Sequence, residues 1–312
     1  MKDKVIVITG PTASGKSSLG IEVAKKLDGV VISADSMQIY KGLDVGTAKV
    51  TKLEADGIKH ELIDIAEVTE KFSVSDYKKM CYEKIDEVLT KGKVPIIVGG
   101  TGLYINAIVN NMSFEEKDLE KLESVKAKLL ELTENKTPDE LYDILVRLDE
   151  KSALNIDKNN TRRVLRAIEL SLLGTKKSSL DEKQDLWNKN ESKYNFITFF
   201  VDMPRDLLYD RINKRVDLMV ETGVLDETKM LYEYKNSAIT ALQAIGYKEF
   251  FEFLEGSKSL EECKELLKQK SRNYAKRQIT WFKKLKDKVI LDGTKSKEEI
   301  VQDILKEYYD KR

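Results

Sequence analysis

Short apolar runs alternate with stretches of helical spacing through the first hundred or so residues, and the alternation returns after residue 195. Residues 5–8 are an unbroken run of Val and Ile, the pattern of a strand buried on both faces. Leu19, Ile21, Val23, Ala24 and Leu27 follow at mixed helical spacing, with Gly29 just past the expected helix end. Residues 30–34 form a second buried run, and residues 58–65 read as a further strand. Val74, Tyr77, Met80, Cys81, Ile85, Val88 and Leu89 mark a helix over 72–91, stopped by Gly92. Residues 94–98 are the next core strand, with Pro95 near its start, where proline is tolerated.

From 113 to 195 the texture changes to helical segments rich in Lys and Glu. Thr137, Pro138 and Glu140 supply an N-cap, an N1 proline and an N3 glutamate. Asn159 or Asn160 caps a helix over 161–173, closed by Gly174. A strand is expected at 195–203, then helices at 205–222 and 225–234. A long helix over 259–286 opens with a capping box from Ser259 to Glu262. A short strand at 288–291 and a helix at 296–309 complete the pattern. It predicts an α/β core from 1–112 and 196–312, interrupted by a helical insertion at 113–195, with a largely helical C-terminal part.

The chemistry starts at the end of the first strand. Gly10, Pro11, Thr12, Ala13, Ser14, Gly15, Lys16 and Ser17 match G-x-x-x-x-G-K-[ST] at every fixed position. Strand before and helix after are what a P-loop needs. Its backbone N–H groups turn in on a phosphate, and the helix N-terminus adds positive potential. Lys16 brings a point charge, and the Ser17 hydroxyl can join a Mg²⁺ shell. The sheet is therefore expected to be P-loop NTPase-like. Asp35 stands at the carboxyl end of the second strand, where an open α/β sheet presents its ligand groups, although a turn or cap carboxylate would look the same. After residue 98, where an NTP-hydrolysing P-loop protein carries a magnesium carboxylate, this chain has Gly99-Gly100-Thr101. The carboxylate comes from elsewhere, or the chemistry is not NTP hydrolysis.

Composition narrows the classes. Lys and Arg number 54, as do Asp and Glu, so net charge alone implies no polyanion partner. The charge is nevertheless uneven. Between Lys264 and Lys288 ten residues are basic and two acidic, interleaved with Tyr274, Trp281 and Phe282. That stripe is the footprint of nucleic-acid binding or of a solvated Lys-rich helix. Arg162, Arg163 and Arg166 share a helix and carry the same two readings. Two distant cysteines and the single His60 give neither a zinc pattern nor a disulfide framework, and His60 is assigned no chemistry. The apolar run at the N-terminus is too short for a signal peptide or membrane span, so a cytoplasmic protein without membrane partners is expected.

The series GPTASGKS, ISADSMQIYKGLDVGTAK, VGGTGLY, TRRVLRAIE, ALQAIGYKE and RNYAKRQITWF closely resembles the bacterial tRNA dimethylallyltransferase family, also called tRNA isopentenyltransferases. The resemblance runs from Val5 to about Phe282 and is weaker through 113–158. It implies transfer of the dimethylallyl group of dimethylallyl diphosphate to N6 of the adenosine 3′ to the anticodon, releasing pyrophosphate. The P-loop residues 10–17 would hold the donor diphosphate, with Mg²⁺ on Ser17. Asp35 would be the base, and Lys16, Ser17 and Thr101 would steady the leaving group. Contacts to tRNA would come from Asp35, Ser36, Met37, Gln38, Thr101, Lys126, Arg162, Arg163, Val164, Leu165, Arg166, Arg277 and Gln278. Lys126 stands where family members often have arginine, which weakens the case for a planar, bidentate contact there. Whether Arg277, Gln278 and Trp281 touch RNA or pack is open. A monomer gripping the anticodon stem-loop is expected. The rivals are an isopentenyltransferase acting on free AMP or ADP, a small-molecule P-loop kinase, and a non-enzymatic RNA-binding ATPase module.

Overall fold

A computed structural model of the chain describes residues 2–114, 119–174 and 191–310. Parts of the 113–195 insertion and the last two residues of the expected core therefore lie outside the described residues. The chain divides into two compact units, Met1–Asn111 with Lys189–Arg312, and Met112–Asn188.

The larger unit is built on six parallel strands that lie side by side in the order His60–Glu61, Gly29–Ser33, Val94–Gly99, Lys4–Thr9, Asn195–Asp202 and Lys288–Asp292. Strand β1 (Lys4–Thr9) leads through the P-loop into α1 (Lys16–Leu27), then β2 (Gly29–Ser33), α2 (Lys52–Ala55), β3 (His60–Glu61) and α3 (Val74–Thr90). Strand β4 (Val94–Gly99) and α4 (Gly102–Val109) close the first half. In the smaller unit come α5 (Leu119–Thr133), α6 (Pro138–Leu148), α7 (Glu150–Leu154) and α8 (Thr161–Leu172). The chain returns through β5 (Asn195–Asp202), α9 (Arg205–Glu221), α10 (Val224–Glu233), α11 (Phe251–Leu254), α12 (Leu260–Lys283), β6 (Lys288–Asp292) and α13 (Lys297–Asp310).

Strand β1 is central because it is apolar on both faces. Val5, Ile6, Val7 and Ile8 are fully buried, and the strand pairs with β4 on one side and β5 on the other. Its neighbours carry side chains of the same kind. Ile96, Ile197 and Phe199 are buried with Leu19, Val23 and Ala24 of α1 in one core. Each such side chain stabilises by roughly 1.5–3 kcal/mol, so the central strands, and not the loops, fix where the loops start.

One expectation about boundaries is corrected. The strand expected over 58–65 is only His60–Glu61, because Leu62 (φ 60) and Asp64 (φ 53) turn left-handed and break the ladder. Gly29 lies just past the end of α1, as expected; Asp28 (φ 46) makes the left-handed turn there, and Gly29 is the first residue of β2.

The smaller unit has its own core of Leu141, Leu145, Ala153, Ile156, Val164, Ala167 and Ile168. Asn160 caps α8 by accepting the Arg163 N–H at 3.3 Å. Among the described residues no helix is long and apolar enough to cross a membrane.

Candidate active site

The carboxyl ends of β1, β2 and β4 meet at one cavity of roughly 300 Å³. Thr12, Lys16, Ser17, Asp35 and Gln278 give it a polar wall, and Ile212, Val216, Met219 and Ile245 an apolar one. Catalytic chemistry at strand ends is the rule for open parallel sheets, because loops there are free of ladder hydrogen bonds.

The P-loop takes its form from alternating backbone hands. Ala13 (φ 62) and Gly15 (φ 85) are left-handed, the arrangement in which successive N–H groups form an anion-binding concavity. Ala13 packs on Met203, Leu208, Ile212 and Ala275, so the loop is pinned from below. Lys16 Nζ donates to the Pro11 carbonyl at 2.9 Å. Burial pushes its ammonium down to about 8, with Arg215 adding to the fall and Asp35 opposing it. The Ser14 side chain is buried, and its hydroxyl has no hydrogen-bond partner among the described residues.

Asp35 follows β2. One carboxylate oxygen accepts the Met37 N–H at 2.9 Å, so the turn geometry anticipated as an alternative is present. The same residue also lines the cavity, across from Lys16 and Arg215. Thr101 is not among the lining residues. Its hydroxyl accepts the Ser36 N–H at 2.9 Å and donates to Ser36 Oγ at 3.2 Å, which steadies the Asp35–Ser36 turn.

The glycines after β4 have a packing reason. A Cβ on Gly100 would lie 2.4 Å from Gln278 Nε2, and one on Gly102 would lie 2.3 Å from Trp281 Cδ1. Helix α12 rests directly on this strand end and crowds any side chain at either glycine.

Helix α12 also supplies Gln278 to the cavity wall. This side chain is buried and packs inward, linking Thr12 to Gly100. Arg277 is exposed beside the Tyr274 ring. The basic stripe is thinner than its sequence. Lys264 and Lys268 are bound to Asp217. Lys270 is bound to Glu249, and Arg272 to Asn213. Lys276, Arg277, Lys283, Lys284 and Lys286 are exposed.

In the smaller unit Arg162, Arg163, Arg166 and Lys126 are exposed, and Arg166 pairs with Glu169. Val164 and Leu165 differ from the expectation for RNA contacts. The 3.6-residue period turns Val164 wholly into the core of this unit and packs Leu165 against it, which leaves no free Val164 side chain for a ligand.

Sequence reading missed Arg215. It lies on α9 among Leu208, Ile212, Val216 and Met219, and its guanidinium donates to Thr12 Oγ1 at 2.9 Å. A lone cation inside an apolar helix stripe was the available signal. Tyr274 and Gln243 also line the cavity without having been singled out for it.

Comparison with known proteins adds the family. The model described as IPP transferase matches residues 38–285. A tRNA dimethylallyltransferase of Acetivibrio thermocellus is 47% identical over 287 residues, covering 91% of this chain and 90% of its own. That of Oceanobacillus iheyensis is 47% identical over 284 residues, covering 91% and 89%. Among crystal structures, a tRNA delta(2)-isopentenylpyrophosphate transferase of Staphylococcus epidermidis superposes with a TM-score of 0.72 at 43% identity, over 100% of both chains. A eukaryotic dimethylallyltransferase acting on tRNA superposes with a TM-score of 0.78 at 33% identity, over 93% of this chain and 74% of its own.

Proposed function

The chain belongs to the IPP transferase family, and on that premise we infer that it transfers the dimethylallyl group of dimethylallyl diphosphate to N6 of the adenosine 3′ to the anticodon in tRNA, releasing pyrophosphate. One observation carries the mechanism. The cationic P-loop, the Asp35 carboxylate and an apolar wall share a single cavity. That combination suits a donor with a charged head and a short branched tail, attacked by a group that must lose a proton.

An adenine N6 amine is a poor nucleophile, because its lone pair is delocalised into the ring. As the N6–C1 bond forms and the C1–O bond to diphosphate breaks, one N6 proton passes to Asp35. Lys16, Arg215 and the P-loop N–H groups meet the charge that grows on the leaving diphosphate, the step at which preorganised cations count most. Thr101 acts through Ser36, holding the turn that carries Asp35. Ser17, in the first turn of α1, lines the cavity, and its hydroxyl oxygen fits Mg²⁺, a hard cation held largely by phosphate oxygens and water. When bound, the ion neutralises charge on the leaving diphosphate. The apolar wall of Ile212, Val216, Met219 and Ile245 takes the prenyl group and keeps water from the reacting carbon.

The target base must leave the anticodon-loop stack to reach this cavity. Ser36, Met37 and Gln38 line the cavity next to Asp35 and are assigned to it. The exposed Lys126, Arg162, Arg163 and Arg166, with Arg277 and the exposed lysines of α12, are assigned to the RNA backbone. The protein acts as a cytoplasmic monomer in this reading.

The test uses the purified chain with Mg²⁺, labelled dimethylallyl diphosphate, and either an anticodon stem-loop or AMP. Label on N6 of the stem-loop, lost in Asp35→Ala while RNA binding persists, is expected. Label on AMP alone would move the activity to free nucleotides. Turnover of ATP without prenyl transfer would overturn the reading.

A further inference from the structure

The segment that follows Gln38 is held with unusual thoroughness, and the residue that holds it does not line the cavity. Gly46, Thr47 and Ala48 form part of the cavity wall. Glu227, on α10, collects the backbone at the start of this wall. One carboxylate oxygen accepts the N–H of Asp44 at 3.0 Å and of Val45 at 2.7 Å. The other accepts the Gly46 N–H at 3.1 Å and the Tyr247 hydroxyl at 2.9 Å. Those four donors match the lone-pair sites of a carboxylate, and charge-assisted bonds are the strong class. Gly46 lies against the end of the Tyr247 ring, where a Cβ would sit 2.5 Å from the ring carbon Cζ. At the other end of the segment, buried Lys49 donates to the Tyr40 carbonyl at 2.8 Å and to Asp44 and Asp64, each at 2.5 Å.

The clamp reaches the cavity through Gln38. Its Nε2 donates to the carbonyls of Thr47 and Ala48, both at 3.3 Å, and its Oε1 accepts the Ser33 hydroxyl at 3.2 Å. Both amide protons are then spent, and one oxygen lone pair is left. An exocyclic amine has two N–H bonds. If one proton leaves to Asp35, the other needs an acceptor, and the remaining lone pair of Gln38 is of that kind.

We propose that Glu227 is a positioning residue for the acceptor base. By fixing residues 44–46 it sets the Thr47 and Ala48 carbonyls, which hold the Gln38 amide with its oxygen available to N6–H. This rests on the reading above, in which Gln38 faces the adenosine.

Glu227→Gln replaces one acceptor with an N–H₂ group facing the Gly46 N–H. Steady-state transfer to an anticodon stem-loop by the full chain with Mg²⁺ is expected to lose about tenfold or more in kcat/KM for RNA, mainly in kcat. The Kd for dimethylallyl diphosphate without RNA should stay within about twofold, since the P-loop is untouched. Tyr247→Phe keeps the ring against Gly46 and removes one bond to the clamp, so a smaller loss of the same kind is expected. In the double variant the losses should be less than additive. Donor affinity and RNA turnover falling in proportion, or acceptor turnover unchanged in Glu227→Gln, would overturn the proposal. If Glu227→Gln does not fold, unchanged turnover in Tyr247→Phe overturns it alone. Gln38→Ala separates the two layers. Normal acceptor kinetics in that variant would sink the assignment of Gln38 to the base, whereas a loss there with Glu227→Gln unaffected would sink only the clamp.

Discussion

Gln278 accepts the backbone N–H of Thr12 at 2.8 Å and donates to the Gly100 carbonyl at 2.9 Å. One side chain on α12 therefore braces the phosphate loop against the end of β4.

Replacing Gln278 with Ala leaves a buried carbonyl and a loop N–H without that partner. We expect a stability loss of about 2 kcal/mol in urea unfolding. Donor Kd should rise several-fold while stem-loop affinity holds. Equal weakening toward both ligands would show that Gln278 touches RNA after all.

We expect Lys16 to set an alkaline limit on donor binding. Its folded pKa of about 8 lies below the ordinary 10.5, so the ammonium is lost as pH rises through 8. Donor affinity, measured by titration from pH 7 to 9.5, should fall across that window, and Lys16→Met should flatten the limb. The effect on stability has the opposite sign. Between about 8 and 10.5 the unfolded chain binds more protons at this site, so the Lys16 contribution to stability rises with pH.

Gly102→Ala places a methyl group against Trp281. Relief requires the Trp281 ring, and with it α12, to give way, at a cost of about 1–3 kcal/mol if the helix moves. Because the same helix carries Gln278, donor binding should weaken as well. A thermal melt together with donor titration checks both, and an unchanged donor Kd would separate Trp281 from the brace.

Arg163 and Arg166 are exposed, so replacing both with Ala should leave the core of the smaller unit intact. Stem-loop affinity should fall, and the slope of log K against log salt should become shallower by about one for each phosphate that the variant no longer neutralises. Donor Kd without RNA should not move. An unchanged salt slope returns these arginines to a solvated face.

Much of this was readable in the chain itself, where a local rule and the final environment agree. The strand–loop–helix of residues 5–27 carries its apolar run, its loop residues and its helix in one contiguous stretch, so pattern alone locates it. Asp35 was legible for a related reason, since a polar residue ending an all-apolar run has to emerge at a strand end. Arg215 was not. Its neighbour in the site, Thr12, lies 203 residues away, and spacing along α9 says nothing about which helix face meets the P-loop. Glu227 escaped notice because an acidic residue in the first turn of a helix is ordinary, and only the fold brings residues 44–46 to it. The strand expected at 58–65 failed at Leu62 and Asp64, whose left-handed backbone no hydrophobic pattern encodes.

The bond between Thr12 and Gln278 also has a meaning in time. During synthesis the phosphate loop leaves the ribosome long before its brace, because 266 residues separate Thr12 from Gln278. Strand β1 likewise waits for β5, which follows the whole smaller unit. Pairings of such long sequence separation form slowly. Until β5 is made, β1 is therefore paired on its β4 side alone, and a competent donor pocket exists only once nearly all of α12 has been made.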